Sequence, residues 1–247
     1  MVHTVRGWFD RHTSSSDRFF CKLDFKNAFN VLSRQHFLDA CASHFPSLSR
    51  WTTWCYQDSS RLQFGAHSLE SARGVQQGDP LGALLFAAAL QPLALELRQG
   101  PLDLAAFYLD DGVLAGPADA VAAALSHVQL RAGQLGLELN LTKSELVAVC
   151  NLNPADVAGL FPPDLVGADG SGRVRRNFEL LGASVGDADF LAAGATAQVG
   201  QAAALLDALG SLPDPQVALR LLRACGGMPA SSTLCGVCRP WPNSPAS

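Results

Sequence analysis

Residues 105–116 read AAFYLDDGVLAG: an apolar run, two adjacent carboxylates at Asp110 and Asp111, then a second apolar run opening at Val113. Two apolar arms of strand length around an Asp-Gly pair predict a β-hairpin with Asp111-Gly112 at its turn, because these residues tolerate the positive φ that tight hairpins demand. A turn explains the acidic pair on backbone grounds alone. A cation site explains it too, and the two readings are compatible. A tight hairpin holds both carboxylates at one edge of a sheet, where they repel each other until a divalent cation relieves the repulsion.

On the N-terminal side, RFFCKLDF at 18–25 alternates and is rich in aromatics, which predicts a strand with Asp24 near its end. LSRQHFLDACASHF follows as a helix with Ser33 as N-cap and Phe37, Cys41 and Phe45 on one face. A second helix is expected over about 48–56, then a short hairpin leading into the Gly-rich GVQQGDPLG. The apolar segment Leu81–Leu90 reads as a buried helix ended by Gln91 and Pro92, too short to cross a bilayer. Past the hairpin, Pro117 sits at the first position of an Ala-rich helix that Gly136 stops. SELVAVC and NFELLGASVG read as two further strands, followed by helical patterns at about 189–209 and 214–224. This order predicts an α+β domain, a small antiparallel sheet packed on helices.

Composition bounds the function. At 48% hydrophobic and 16% charged residues the chain is too apolar to be disordered. A net charge of −4 and a pI near 5.8 supply no global attraction to nucleic acid, so such a role needs a local basic surface or a further domain. Seven cysteines without framework spacing suit a reducing, intracellular compartment, and the start MVHTVRGWFDRH lacks the apolar core of a signal peptide. Cys235-Gly-Val-Cys238 is a single CxxC without the second ligand pair of a zinc site. Arg173, Arg175 and Arg176 fall in a loop insertion at about 151–176 and read as a solvated basic cluster.

Five segments recur in one order: KLDFKNAFN (22–30), GVQQGDPLGALLF (74–86), FYLDDGVLAG (107–116), LGLELNLTKSE (135–145) and FELLGASVG (178–186). Together they resemble the palm motifs of reverse transcriptases, in particular those of non-LTR (LINE-like) retrotransposons, with QGDPLG ahead of a helix the most distinctive. The resemblance implies a polymerase palm and RNA-directed DNA synthesis, in which dNTPs are added to a primer 3′-hydroxyl by a mechanism using two Mg²⁺ ions, with Mn²⁺ as a substitute. Its implied partners are an RNA template, a DNA or RNA primer and dNTP, with no membrane partner. By the same resemblance Asp24 and Asp110 hold the metal ions, Asp111 assists, and the backbone carbonyl of Phe25 is a further ligand.

Phe29 matches the steric gate that rejects a 2′-hydroxyl, although a core ring explains it as well. Gln77 is expected to contact the nucleotide or template, Gly78 to let the backbone approach closely, and Asp79 to Leu81 to start the next helix; a structural turn explains Gly78 and Pro80 equally. Lys143 matches a lysine that protonates or neutralises the departing pyrophosphate, where a solvated surface lysine is the alternative. Leu181 and Gly182 match the primer grip, and an ordinary hairpin accounts for them too.

Reverse transcriptases carry fingers ahead of the first catalytic strand and a thumb after the primer grip. The expectation here is an N-terminal remnant over 1–19, a palm with partial thumb over 20–227 and a disordered tail over 228–247, with fingers and thumb largely missing. Such a palm-centred fragment belongs with the fingers, thumb or endonuclease portions of a longer polyprotein. Two functions follow: an RNA-directed DNA polymerase, or a catalytically inactive retroelement remnant that acts as a nucleic-acid-binding module.

Overall fold

The structure, a computed structural model, describes residues 1–12, 14–15, 17–149, 159–166, 174–175 and 177–225. In chain order the elements are α1 (Val2–His12), β1 (Arg18–Leu23), α2 (Ala28–Val31), α3 (Arg34–His44), α4 (Pro46–Tyr56), β2 (Ser60–Phe64), β3 (His67–Ser71), α5 (Gly82–Arg98), β4 (Leu104–Tyr108), β5 (Asp111–Pro117), α6 (Ala118–Gln134), β6 (Glu145–Ala148), α7 (Pro163–Val166), β7 (Val174–Arg175), β8 (Phe178–Leu180), β9 (Ala183–Val185), α8 (Ala188–Gly210) and α9 (Pro215–Cys225). They divide into two compact units, residues 15–174 and residues 1–14 with 175–247. The expected tail at 228–247, with its CxxC, and Arg173 and Arg176 lie outside the described residues.

Among the described residues the larger unit is built on a five-stranded sheet in the order β4-β5-β1-β6-β7, with a separate β2-β3 hairpin. β1 runs antiparallel to β5 on one side, Leu23 opposite Gly112, and to β6 on the other, Lys22 opposite Glu145. Side chains alternate along a strand, so Phe19, Cys21 and Leu23 of β1 join Leu114 of β5 and Leu146 of β6 in one core with residues of α3, α5 and α6. Phe20, Val113, Ala115 and Val147 are buried as well, on the opposite face. No helix among the described residues is long and apolar enough to cross a membrane.

Several sequence expectations shift. The hairpin turns at Leu109-Asp110, not at Asp111-Gly112: Tyr108 pairs with Asp111, and Leu109 takes the left-handed conformation at φ 58°. Gly112 belongs to β5 and is selected by packing, since a Cβ there stands 2.7 Å from Phe107 Cε1 and 3.1 Å from Leu23 Cδ1. NFELLGASVG is not one strand but the β8-β9 hairpin, turning through Leu181 and Gly182 at φ 51° and 73°, the paired positive values of a type I′ turn. α5 continues through Pro92 to Arg98, and Pro117 ends β5 and precedes α6 as its N-cap instead of opening the helix. Residues 2–12 form α1, which buries Trp8 and Phe9; Phe9 packs on Phe178 at 5.7 Å between centroids, and the Arg6 guanidinium donates to the Ser184 carbonyl at 2.7 Å.

Candidate active site

The register that sets Leu23 opposite Gly112 and Tyr108 opposite Asp111 carries Asp24 one step past the ladder, alongside Asp111 on the face turned from the core. That face changes character along β1: Phe20 is fully buried, Lys22 and Asp24 are half-buried, and Glu145 stands across from Lys22. The acidic hairpin therefore closes at the charged end of the sheet, with Asp110 in the turn.

Asp24 is held by its backbone. Its N–H donates to Ser144 Oγ at 3.1 Å, and its carbonyl accepts the Asn140 N–H at 2.7 Å. Ser144 Oγ also donates to the Asn140 carbonyl at 2.9 Å, and Thr142 Oγ1 donates to Asn140 Oδ1 at 2.8 Å. Lys143 is exposed on this same turn. The LNLTKS sequence carries the signal for such a turn in its Asn, Thr and Ser, whose short side chains bond nearby backbone, yet nothing local shows that it grips Asp24. Phe25 pairs with Leu139 through bonds made by its neighbours, Lys26 N–H to the Glu138 carbonyl at 2.8 Å and Asn140 N–H to Asp24. In that kind of pair the residue's own carbonyl points away from its partner strand, here toward the side on which β5 lies.

Burial pushes the Asp111 carboxyl above its ordinary range, Asp110 adds to the rise, Lys22 opposes it and Asp24 reinforces it. The repulsion among three carboxylates is the observation that bears on a cation. Among the described residues no three His, Cys, Asp or Glu side chains form a ready ligand cage. An open oxygen set of one or two carboxylates plus a carbonyl suits Mg²⁺, which takes its remaining ligands from water and phosphate. The residues present fit that ion.

A carboxyl whose folded pKa is raised costs stability when ionised, and the cost disappears as pH falls through the folded pKa. Asp111→Asn is therefore expected to raise the melting temperature by roughly 1–3 °C at pH 7 in EDTA, and the gain to vanish near pH 4. Calorimetry at both pH values checks this; equal melting at pH 7 refutes it.

Five residues after Asp24, Phe29 stacks on Phe86 of α5 with centroids 4.5 Å apart and planes within 5°, leaving the ring half-buried and fixed. The Phe29 carbonyl accepts the Val75 N–H at 2.8 Å, and the Leu32 carbonyl accepts the Gly74 N–H at 2.8 Å. These bonds bring the chain after Asp24 against the start of the QQGDPLG segment. There Asp79 N–H returns to the Gln76 carbonyl at 3.2 Å around Gln77 and Gly78, with Gly78 at φ +92° as the third residue of a type II turn requires. No protein atom lies within 4 Å of a Cβ built on Gly78, so within the chain its glycine answers to conformation and not to a close approach. Gln77 is exposed at this turn.

Two residues that sequence reading missed hold the turn and the segment ahead of it. Tyr56, buried at the end of α4, donates its hydroxyl to Asp79 Oδ2 and accepts the Gln76 N–H at 3.1 Å. Burial first, and then Asp79, push its pKa up to about 12. Asp79 Oδ1 accepts the Leu81 N–H at 2.9 Å, so Asp79 organises the entry to α5. Buried Arg34 donates to the carbonyls of Gly74 and Asp58 and to Ser71 Oγ, and its guanidinium lies 5.5 Å from the Tyr56 ring centroid. No sequence signal marks either residue. Leu181 and Gly182 sit in the other unit, where Gln198 Nε2 donates to the Gly182 carbonyl at 2.8 Å.

Residues 3–185 match the family described as reverse transcriptase (RNA-dependent DNA polymerase). Among solved structures, apo telomerase from Candida tropicalis is similar with a TM-score of 0.50 at 11% identity, over 75% of this chain and 34% of that one. Telomerase from Candida albicans, in complex with a TWJ fragment of telomeric RNA, gives a TM-score of 0.43 at 14% identity, over 77% of this chain and 33% of that one. These likenesses are of fold, and the chain spans about a third of the length of the solved structures it matches. No curated protein matches the chain.

Proposed function

The chain belongs to the reverse transcriptase family, and from that premise we propose that its sheet end bearing Asp24, Asp110 and Asp111 is the centre of an RNA-directed DNA polymerase. The observation that supports this most is the placement of Asp24 beside Asp111 at the closed end of the acidic hairpin. Asp24, Asp110 and Asp111, with the Phe25 carbonyl, would hold two divalent ions, Mg²⁺ or Mn²⁺. Such ions, when bound, lower the pKa of a primer 3′-hydroxyl and neutralise charge on the leaving pyrophosphate.

The remaining work falls to the chain itself. Ser144 and Asn140 keep Asp24 from drifting, and Lys22 limits repulsion on the carboxylate face. Lys143, exposed on the turn that grips Asp24, neutralises the departing pyrophosphate in this reading. Gln77 contacts the nucleotide or template from a turn that Tyr56 makes rigid, and the open side of Gly78 leaves room for it. Leu181 and Gly182 support the primer end from their strained turn. QGDPLG leading into a helix favours the non-LTR, retrotransposon type of enzyme, with the palm over 20–227 as one part of a longer polymerase.

Primer extension on an RNA template with dNTPs and Mg²⁺ tests the proposal. Extension is expected; a folded chain that extends with neither Mg²⁺ nor Mn²⁺ overturns catalysis by this chain. Phe29, locked on Phe86, acts as the gate against ribonucleotides. A steric clash of this kind is worth about 1–3 kcal/mol, so Phe29→Val is expected to raise ribonucleotide over deoxynucleotide incorporation roughly 5- to 150-fold. An unchanged ratio in competition assays assigns Phe29 to the core alone.

A further inference from the structure

α4 buries Thr52 and Tyr56 and turns Arg50, Trp51 and Trp54 to solvent. The two indoles are 57% and 75% exposed, an unusual cost for the largest apolar side chains. Their centroids lie 5.1 Å apart with planes tilted by 41°, so each ring keeps an outer face free. The outward positions Ser47, Arg50, Trp51, Trp54 and Gln57 include no aliphatic side chain. Indole faces interleaved with a guanidinium match the bases and phosphates of a single strand. Arg50 makes no ion pair among the described residues, which leaves its charge available to an anion. Tyr56, two residues beyond Trp54 and about 3 Å along the helix axis, is the residue that anchors the Gln77 turn.

We propose that Arg50, Trp51 and Trp54 form a stacking platform for single-stranded nucleic acid, with bases on the indoles and a phosphate on Arg50. The assignment of that strand as unpaired template rests on the polymerase reading; the binding itself does not. The platform lies outside the carboxylate site, on a helix that packs against α3 and bonds the Gln77 turn through Tyr56.

Fluorescence anisotropy with a short oligouridylate, using the full chain without metal or nucleotide, tests it. Stacking is worth about 1–3 kcal/mol per base, so Trp51→Ala with Trp54→Ala is expected to weaken binding at least 10-fold while affinity for a blunt RNA–DNA duplex stays unchanged. Trp51→Phe with Trp54→Phe should retain most of the affinity, which separates stacking from loss of fold. Arg50→Gln should reduce the salt dependence by roughly 0.7 in log–log slope, the value of one single-strand phosphate contact. Unchanged oligouridylate binding in the double Ala variant overturns the proposal, as does equal loss on strand and duplex. A change in oligomeric state by light scattering also overturns it, by assigning the face to a second copy of the chain. Asp110→Ala should bind oligouridylate like the unmodified chain, so loss of catalysis and loss of the platform are read separately.

Discussion

Primer extension by the Asp110→Ala chain is expected to fall by about 10³-fold or more, and by a similar factor for Asp24→Ala. On the polymerase reading these carboxylates would hold divalent ions, whose stabilisation of transition-state charge is worth several kcal/mol, and about 4 kcal/mol corresponds to three orders of magnitude in rate. The two positions reach the site by different routes. Asp24 is delivered by β1 and clamped through Ser144 and Asn140, while Asp110 rides on the turn between β4 and β5. Neither substitution removes a core contact, since both side chains are half-buried at the sheet end. Asp24→Ala removes one of the charges that raise the Asp111 carboxyl and leaves Lys22 in place, so that inactive chain should melt no lower than the unmodified one in EDTA. Single-turnover extension with parallel melting curves makes the comparison. An Asp110→Ala chain that extends at the unmodified rate removes the hairpin from the chemistry.

Gly74→Ala is the second large effect, and it acts on the fold. A Cβ at this position would stand 2.3 Å from the Phe29 carbonyl oxygen and 2.5 Å from Asn30 Cα, and φ is +69°. The obstructing atoms are backbone, pinned by the bonds from Gly74 to Leu32 and from Val75 to Phe29, so no rotamer change relieves the overlap. Left-handed strain and backbone displacement together are expected to cost about 3–5 kcal/mol, a large part of the stability of an ordinary domain. Gly65→Ala is the matched control: φ is +58°, but no protein atom lies within 4 Å of the added Cβ. It should cost about 1–2 kcal/mol, the conformational share alone. Urea denaturation of both variants isolates the close approach; equal losses would mean that the contact between Phe29 and Gly74 contributes nothing.

The Gly74 contact also shows where sequence reading stops. Alternation at 18–23 and in the two arms around the acidic pair announced strands, and apolar spacing announced α3, α5 and α6, because periodicity is a local property of the chain. The sheet-on-helices class and the five ordered motifs were likewise legible from residue type and order. The turn position was misread because Asp111-Gly112 has the composition of a turn, while Gly112 is there to clear Phe107 and Leu23. A single glycine carries two meanings, positive φ or lack of space, and only the neighbours distinguish them.

By itself the sequence determined the main strands and helices, the family and the identity of the acidic residues. The tertiary structure alone decided that Asp24 lies alongside Asp111, that Lys22 opposes the rise at Asp111, that Tyr56 holds the Gln77 turn and that Arg34 holds the Gly74 segment ahead of it. Strand register and the burial of a guanidinium or a phenol depend on partners far along the chain. Local pattern cannot encode them, because hydrogen bonding and desolvation act on distance in space and not on separation in sequence.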